Sequence, residues 1–340
     1  MRVGLVGYGL AGRYFHAPLL QAAGFFVAAI SSRSLEKRGA AHSDFPLATI
    51  LATPEEMIEE ELDLVVVAST NEVHSAHAKL AIDAGIPVVV DKPMALDYYE
   101  TLSLFDYADA RGVPLTVFFN RLFDSDTLTI KALVRSGELG EIFRYESRFE
   151  RFRPELNPQS WRENTPSNTG GGLLLDLQTH LVSIALDLFG PASLEFSSLR
   201  KVRGEVDDDV LLVLKHACGV DSYLSVSAIA GSPGPRVRMH GRNGSFIATD
   251  MDPQESMLRA GIKPLVTGWS DVASATSEFR IHRGTESFNY RGIPGNYVAF
   301  YNQVKDALNG TANMPIKRDF ALDVAGILDR AREIDIHSNG

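Results

Sequence analysis

Gly7-Tyr8-Gly9-Leu10-Ala11-Gly12 follows a short apolar run at Val3–Val6 and precedes a stretch of helical period. Glycines at this spacing suit phosphate binding. Gly7 permits a tight turn, Gly9 lets the backbone approach a pyrophosphate, and Gly12 lets the next helix pack on the strand. The helix N-terminus then turns its N–H groups toward the anion. The next apolar run, Phe26–Ile30, leads into Ser31-Ser32-Arg33, and no carboxylate occurs before Glu36. An NAD site usually places Asp or Glu here, on the ribose 2′-hydroxyl. Two hydroxyls and a guanidinium suit a 2′-phosphate instead, so the pattern predicts NADP over NAD.

Later apolar runs end in further polar groups: Ser69, Thr70, Asn71 and His74, then Asp91-Lys92-Pro93. A lysine at a strand end in a crevice is a candidate for chemistry, although a loop lysine would occupy the same position. His74 and His77 are spaced i, i+3, but no third ligand lies near them and no metal is expected. Helix capping or cofactor contact is expected of His74, and a helix-face role of His77. In the second half, Gly170-Gly171-Gly172 leads into an apolar pattern of helical period with Asp176 and His180 on one face. Histidine exchanges a proton near neutral pH, and a carboxylate one turn away can orient it or hold a substrate hydroxyl. An ordinary i, i+4 pair has the same spacing. The glycines, which allow close backbone approach, favour a site.

These residues need elements to position them. Apolar runs at Val3–Val6, Phe26–Ile30, Leu64–Ala68, Val88–Val90 and Leu115–Phe118 alternate with helical stretches such as His74–Ala84 and Leu96–Arg111. That texture predicts a parallel sheet covered on both faces, over residues 1–119. Gly24, Gly85 and Gly112 fall where helices should stop. From Phe143 the texture changes to half-alternating strands: Phe143–Arg151, Leu194–Val202, Val210–Leu214, Ser222–Ser227, Val237–Met239 and Ser245–Ala248. An antiparallel sheet with one free face is expected there. Residues 157–172 read as a polar loop, of a length that is often functional. Helices are expected at Tyr297–Leu308 and Asp319–Ile334.

Composition narrows the function classes. The chain has 340 residues, room for about two domains, and a 45% hydrophobic fraction that can build two cores. A net charge of −10 argues against nucleic acid or an anionic membrane surface as partner. No apolar run reaches the length of a spanning helix. A single cysteine, Cys218, excludes an internal disulfide framework and a Cys-rich metal site. The first strand leaves no room for a signal peptide ahead of it, so a cytoplasmic location is expected.

Taken in order, Gly7-x-Gly9-x-x-Gly12, Asn71-x-x-His74, Asp91-Lys92-Pro93, Asn120-Arg121, Trp161-Arg162 and Gly171-Gly172 with Asp176 and His180 resemble the glucose-fructose oxidoreductase/inositol dehydrogenase/MocA (Gfo/Idh/MocA) family. The likeness covers nearly the whole chain and is strongest to about residue 190. It implies an α/β protein: an N-terminal Rossmann domain with a parallel sheet (1–119) and a C-terminal α/β domain with an open, mainly antiparallel sheet (120–340). The second domain would bind substrate and form oligomers, and its terminal helix could pack back on the first. The resemblance puts the catalytic set on Lys92, Asp176 and His180. It extends cofactor contacts over Gly7, Gly9, Leu10, Ala11, Gly12, Ser31, Ser32, Arg33, Ser69, Thr70, Asn71, His74, Asp91, Lys92, Asn120, Trp161 and Arg162.

The activity implied is metal-free transfer of hydride between nicotinamide and a secondary alcohol or ketone of a sugar or cyclitol, in a homodimer or homotetramer. A non-catalytic dinucleotide-binding regulator and an NAD-dependent glycosidase are the family's alternatives. Phe118-Phe119-Asn120-Arg121, Asp124-Ser125-Asp126 and Glu146–Pro154 look like the branch holding NADP-dependent scyllo-inositol dehydrogenases. Three positions depart from the usual family pattern: Asp91 replaces Glu before the lysine, Leu122 replaces Arg, and Ser183 stands where an aspartate often follows the histidine.

Overall fold

The structure is a computed structural model that describes residues 1–264, 269 and 279–338. The chain forms two compact units. The first comprises Met1–Asn120, Gln254–Trp269 and Tyr297–Leu322, and the second Arg121–Pro253, Ser270–Asn296 and Asp323–Gly340.

The first unit is built on a six-stranded sheet. Its strands are β1 (Arg2–Val6), β2 (Phe26–Ser31), β3 (Thr49–Leu51), β4 (Leu64–Val67), β5 (Val88–Asp91) and β6 (Leu115–Phe118). Their order is β3-β2-β1-β4-β5-β6, and every pairing is parallel. The valine runs of β4 and β5 are buried throughout, as a sheet covered on both faces requires. Covering helices include α1 (Ala17–Ala22), α2 (Leu35–Asp44), α4 (His74–Asp83) and α5 (Tyr98–Asp109), with a single turn, α3 (Pro54–Met57), between β3 and β4. Gly24, Gly85 and Gly112 follow α1, α4 and α5 with positive φ, as expected. Strand order reverses between β1 and β4, which opens a crevice at the carboxyl edge where β1, β4 and β5 end together.

The second unit holds an eight-stranded sheet. Its strands are β7 (Ile142–Glu150), β8 (Ala192–Arg200), β9 (Asp209–His216), β10 (Asp221–Ser227), β11 (Val237–Gly241), β12 (Gly244–Ala248), β13 (Phe279–Arg283) and β14 (Glu286–Tyr290). The order is β14-β13-β12-β11-β7-β10-β9-β8, antiparallel except for the central β7–β10 pair. Along β9, Val210, Leu212 and Leu214 are buried while Leu211 and Lys215 are exposed, the alternation of a sheet with one covered face. The covered face packs helix α8 (Thr179–Phe189), whose Leu181, Val182, Ile184 and Ala185 are buried. Helix α6 (Ser125–Ser136) lies beside α8.

Several elements differ from expectation. The short β3 and the polar pair β13–β14 carry too little apolar pattern to register. Helix α6 opens on Ser125-Asp126-Thr127, all buried by tertiary contacts that the sequence alone does not display. Residues 157–172 are not a structureless loop. They contain a turn of helix, α7 (Trp161–Asn164), and a 3₁₀ turn at Ser167–Thr169.

Candidate active site

In the first unit the glycine turn is held backbone to backbone. Gly7 N–H donates to Ser31 O at 2.9 Å, and Arg13 N–H to Gly9 O at 2.9 Å. Gly7 has φ +97°, and a Cβ there would stand 2.5 Å from Ala68 O. A Cβ on Gly12 would overlap the Gly7 carbonyl. Gly9 is the open position: only Lys37 Nζ lies near its missing Cβ, at 3.8 Å. A turn closed beneath and open above, with a cation at its rim, fits a dinucleotide pyrophosphate. Leu10 is exposed and Ala11 half-buried at its tip. Tyr8 and Arg13 brace it from behind, donating to Asp44 at 2.8 Å each.

At the end of β2 the three predicted residues face different ways. Ser31 is 1% exposed and turns inward, whereas Ser32 is half-buried and Arg33 exposed. Arg38 fixes this bend, donating to Ser32 O at 2.8 Å and Arg33 O at 3.2 Å. Ser34 caps α2 by accepting Lys37 N–H. The sequence reading missed Lys37, because its place at the glycine turn depends on how α2 packs.

The ends of β4 and β5 meet through His74. This residue does not cap α4: its neighbour Val73 holds the cap position, with no side-chain bond. His74 instead reaches Pro93 O with Nδ1 (2.8 Å) and Ser69 O with Nε2 (3.2 Å), pinning two loops. The shorter contact assigns the ring proton to Nδ1. Burial lowers its pKa, against the opposing pull of Asp91. His77 Nδ1 lies 3.0 Å from Ser69 Oγ, so the i, i+3 pair is committed to separate contacts. Thr70 is exposed, and Asn71 and Asn120 are buried.

Lys92 is half-buried and leaves β5 with a cis bond to Pro93. Asp91 turns its carboxylate back to accept Lys92 N–H at 2.8 Å. Burial works to raise the Asp91 pKa, but His16, Lys92 and His74 outweigh it and hold the group below the usual carboxylate value.

In the second unit the triple glycine leads into a π turn, Leu174–Gln178, that continues as α8. Asp176 lies in the π turn and His180 one turn on, 5% exposed. Such wide turns are frequent at functional sites. Arg162 donates from Nε to Asp176 Oδ1 at 3.2 Å and stacks on Trp161 at 4.6 Å. Three of the predicted residues are thus brought together, with Arg162 engaged by the carboxylate rather than standing apart. Phe149 packs edge-on against His180, with centroids 6.1 Å apart.

Asp207, another residue the sequence reading missed, organises this segment. Its Oδ2 accepts Leu174 N–H at 2.6 Å, its Oδ1 accepts Ser167 Oγ at 2.7 Å, and its carbonyl accepts Leu173 N–H at 2.9 Å. Gly172, with φ +85°, is glycine because a Cβ would overlap that carboxylate. Ser183 is fully buried and donates to His180 O at 2.9 Å, so its hydroxyl serves the helix rather than a substrate.

Two family models match the chain. One describes an oxidoreductase family with an NAD-binding Rossmann fold, over residues 1–119; the other describes the GFO/IDH/MocA C-terminal domain, over residues 127–247. The uncharacterized oxidoreductase YdgJ of Escherichia coli is 33% identical over 99% of this chain and 97% of its own. The Bacillus subtilis protein named scyllo-inositol 2-dehydrogenase (NADP(+)) IolW is 32% identical over 98% of this chain and 93% of its own. A solved oxidoreductase structure from Yersinia pestis superposes with a TM-score of 0.89 at 33% identity, covering 99% of this chain and 95% of its own.

Proposed function

The chain belongs to the Gfo/Idh/MocA family and is an NAD(P)-dependent dehydrogenase; on that premise we propose that it moves hydride between NADP and a secondary alcohol or ketone of a sugar or cyclitol. The observation that carries the cofactor choice is the end of β2. There Ser32 and an exposed Arg33 stand where a ribose 2′-hydroxyl would need a carboxylate. A guanidinium offers charge-assisted, geometrically matched donors to phosphate oxygens. The NADP named for the Bacillus relative supports the same choice, and its inositol supports a ring of hydroxyls as substrate class.

When bound, the nicotinamide accepts or supplies the hydride. The chain's own residues handle the proton and the charge. His180 takes the alcohol proton in oxidation and returns it in reduction. Lys92 stabilises the negative charge that develops on the reacting oxygen. Asp176, held by Arg162, orients a substrate hydroxyl or the imidazole. NADP is a cytoplasmic cofactor pool, which agrees with a cytoplasmic enzyme, and among the described residues no helix is long and apolar enough to cross a membrane.

A screen of inositols, sugars and their keto forms against NADP and NAD tests this reading. NADPH formation with a polyol and at least a tenfold preference for NADP are expected. Preference for NAD, or tight NADP binding with no turnover of any polyol, would count against it. The exposed sheet face, with Phe196 49% and Leu211 38% exposed, is the surface through which we expect two or four copies to associate. Light scattering that returned 37.2 kDa would oppose that.

A further inference from the structure

We propose that His16 is a positioning residue for Lys92, acting through the Asp91 carboxylate. This rests on the reading of Lys92 as the residue that stabilises the reacting oxygen. His16 ends the π turn Gly12–His16 that begins on the last glycine of the phosphate turn. It is fully buried, and its ring packs against Phe118 with centroids 4.6 Å apart. A polar ring in such a place is costly unless its nitrogens are used. Nδ1 lies 2.5 Å from Tyr301 Oη. Nε2 faces Asp91 Oδ1 at 3.8 Å, beyond hydrogen-bond distance and within electrostatic reach. That same Oδ1 accepts Lys92 N–H at 2.8 Å.

The partners assign the ring proton. Burial, with Asp91 nearby, raises the Tyr301 pKa well above its ordinary value, so the phenol keeps its hydrogen and gives it to Nδ1. The imidazole proton then sits on Nε2, facing the carboxylate. Tyr301, His16 and Asp91 form a line that ends on the main chain of Lys92. The N–H on Nε2 turns its positive end toward the carboxylate and favours, through its dipole, the position of Asp91 at the base of the lysine. Without it, Asp91 is left more open to the charge of the neighbouring Lys92 ammonium, which would then be compensated where the reacting oxygen needs it. One short segment therefore carries both the last phosphate-turn glycine and the residue that sets the lysine.

Two substitutions separate this role from packing. In His16→Gln the amide nitrogen reaches the place of Nε2 and keeps a donor toward Asp91. In His16→Asn the amide reaches only the place of Nδ1 and keeps Tyr301 alone. Turnover is followed by NADPH absorbance with scyllo-inositol, or with the fastest polyol of the screen. His16→Asn is expected to lower kcat roughly 10–100-fold, the scale of misplacing a reacting group by about an ångström, with KM and NADP affinity within about twofold. His16→Gln is expected to recover kcat to within about threefold of the natural chain. Equal kcat in the two variants, or a loss confined to NADP affinity, would overturn the proposal. If neither variant folds, Tyr301→Phe takes their place: a fall in kcat at unchanged KM supports the line, and an unchanged kcat overturns it. Lys92→Ala run alongside keeps the two readings apart. Full activity of Lys92→Ala defeats the catalytic reading of Lys92, whereas an inactive Lys92→Ala beside a fully active His16→Asn defeats only the role given to His16.

Discussion

Each unit carries a glycine-led π turn at its candidate site, and the two are built by different means. Gly12–His16 is held by its own backbone, with Gly7 bonded to Ser31 and Gly12 seated on the Gly7 carbonyl. Leu174–Gln178 is held by a side chain from elsewhere in the sequence, because the Asp207 carboxylate occupies the space a Gly172 Cβ would fill. The first arrangement presents N–H groups to a ligand with fixed phosphates. The second fixes the start of the helix that presents Asp176 and His180. A backbone-made turn can be read from residue spacing, whereas a turn made by a distant carboxylate cannot. If the division of labour is right, changes in the first unit should move cofactor affinity and changes in the second should move turnover.

The largest effect tests the second half of that statement. His180→Ala should lower kcat by roughly 10²–10⁴, the contribution of a positioned general base, with NADP affinity unchanged. A parallel loss of NADP binding in fluorescence titration would erase the distinction between the units. Next in size, Arg33→Asp should weaken NADP by about 2–4 kcal/mol, through one lost charge-assisted contact and one added repulsion. NAD should bind as well as before or better, and kcat at saturating NADP should hold. Equal loss for both cofactors would point to a disturbed bend at the end of β2 instead.

Asp207→Ala comes third. It strips Leu174 N–H and Ser167 Oγ of their acceptor, which should cost about 1–3 kcal/mol of stability and lower turnover while sparing NADP affinity. Thermal melts beside steady-state kinetics check it; a stable variant with full kcat would mean that the π turn holds itself. Acid should then reach both units to a smaller degree. His74 and His77 in the first, and His216 and His240 in the second, all have lowered pKa values, with burial the leading cause in each. The unfolded chain binds those protons more readily. Their contribution is therefore complete above the ordinary histidine pKa of about 6.5 and is lost as pH falls from there through the lower folded values. Melting temperature should drop between about pH 7 and 5, and His74→Gln should flatten that drop without removing it. An unaltered slope in His74→Gln would mean that His74 accepts its proton without strain in the fold.

What the sequence displays follows the same line. The strands β1, β2, β4, β5 and β6 are apolar runs buried on both faces, so their pattern is complete in local sequence. The one-sided strands β7–β12 register through alternation. β3 and the β13–β14 pair do not, since Thr49–Leu51 is too short and Glu286–Tyr290 too polar. Among site residues, Gly7, Gly9 and Gly12 are readable because backbone geometry demands them. Asp91, Lys92, Asp176 and His180 stand out by residue type and position. Asp207, Lys37 and His16 are invisible by those criteria. Each acts through a neighbour supplied by tertiary packing, and its own surroundings in sequence resemble an ordinary strand start, helix face or helix turn.

Lys37 supplies the smallest test of the comparison. It sits in the first turn of α2, its own N–H capped by Ser34, with its ammonium 3.8 Å from the missing Cβ of Gly9. That places the charge at the pyrophosphate turn, which NAD and NADP share, while Arg33 stands at the end of β2, where the two cofactors differ. Lys37→Ala should therefore weaken both cofactors alike. The loss should be about 0.5–1 kcal/mol, because Lys37 is exposed and its interaction is screened by water. Raising the salt concentration should shrink it further, since the Debye length shortens and an exposed charge is screened more strongly. Titration of both cofactors at low and high salt reads all of this in one experiment. Loss for NADP alone would move Lys37 to the 2′-phosphate beside Arg33, and no loss for either would return it to the solvent face of α2, leaving the backbone of the glycine turn to hold the pyrophosphate without it.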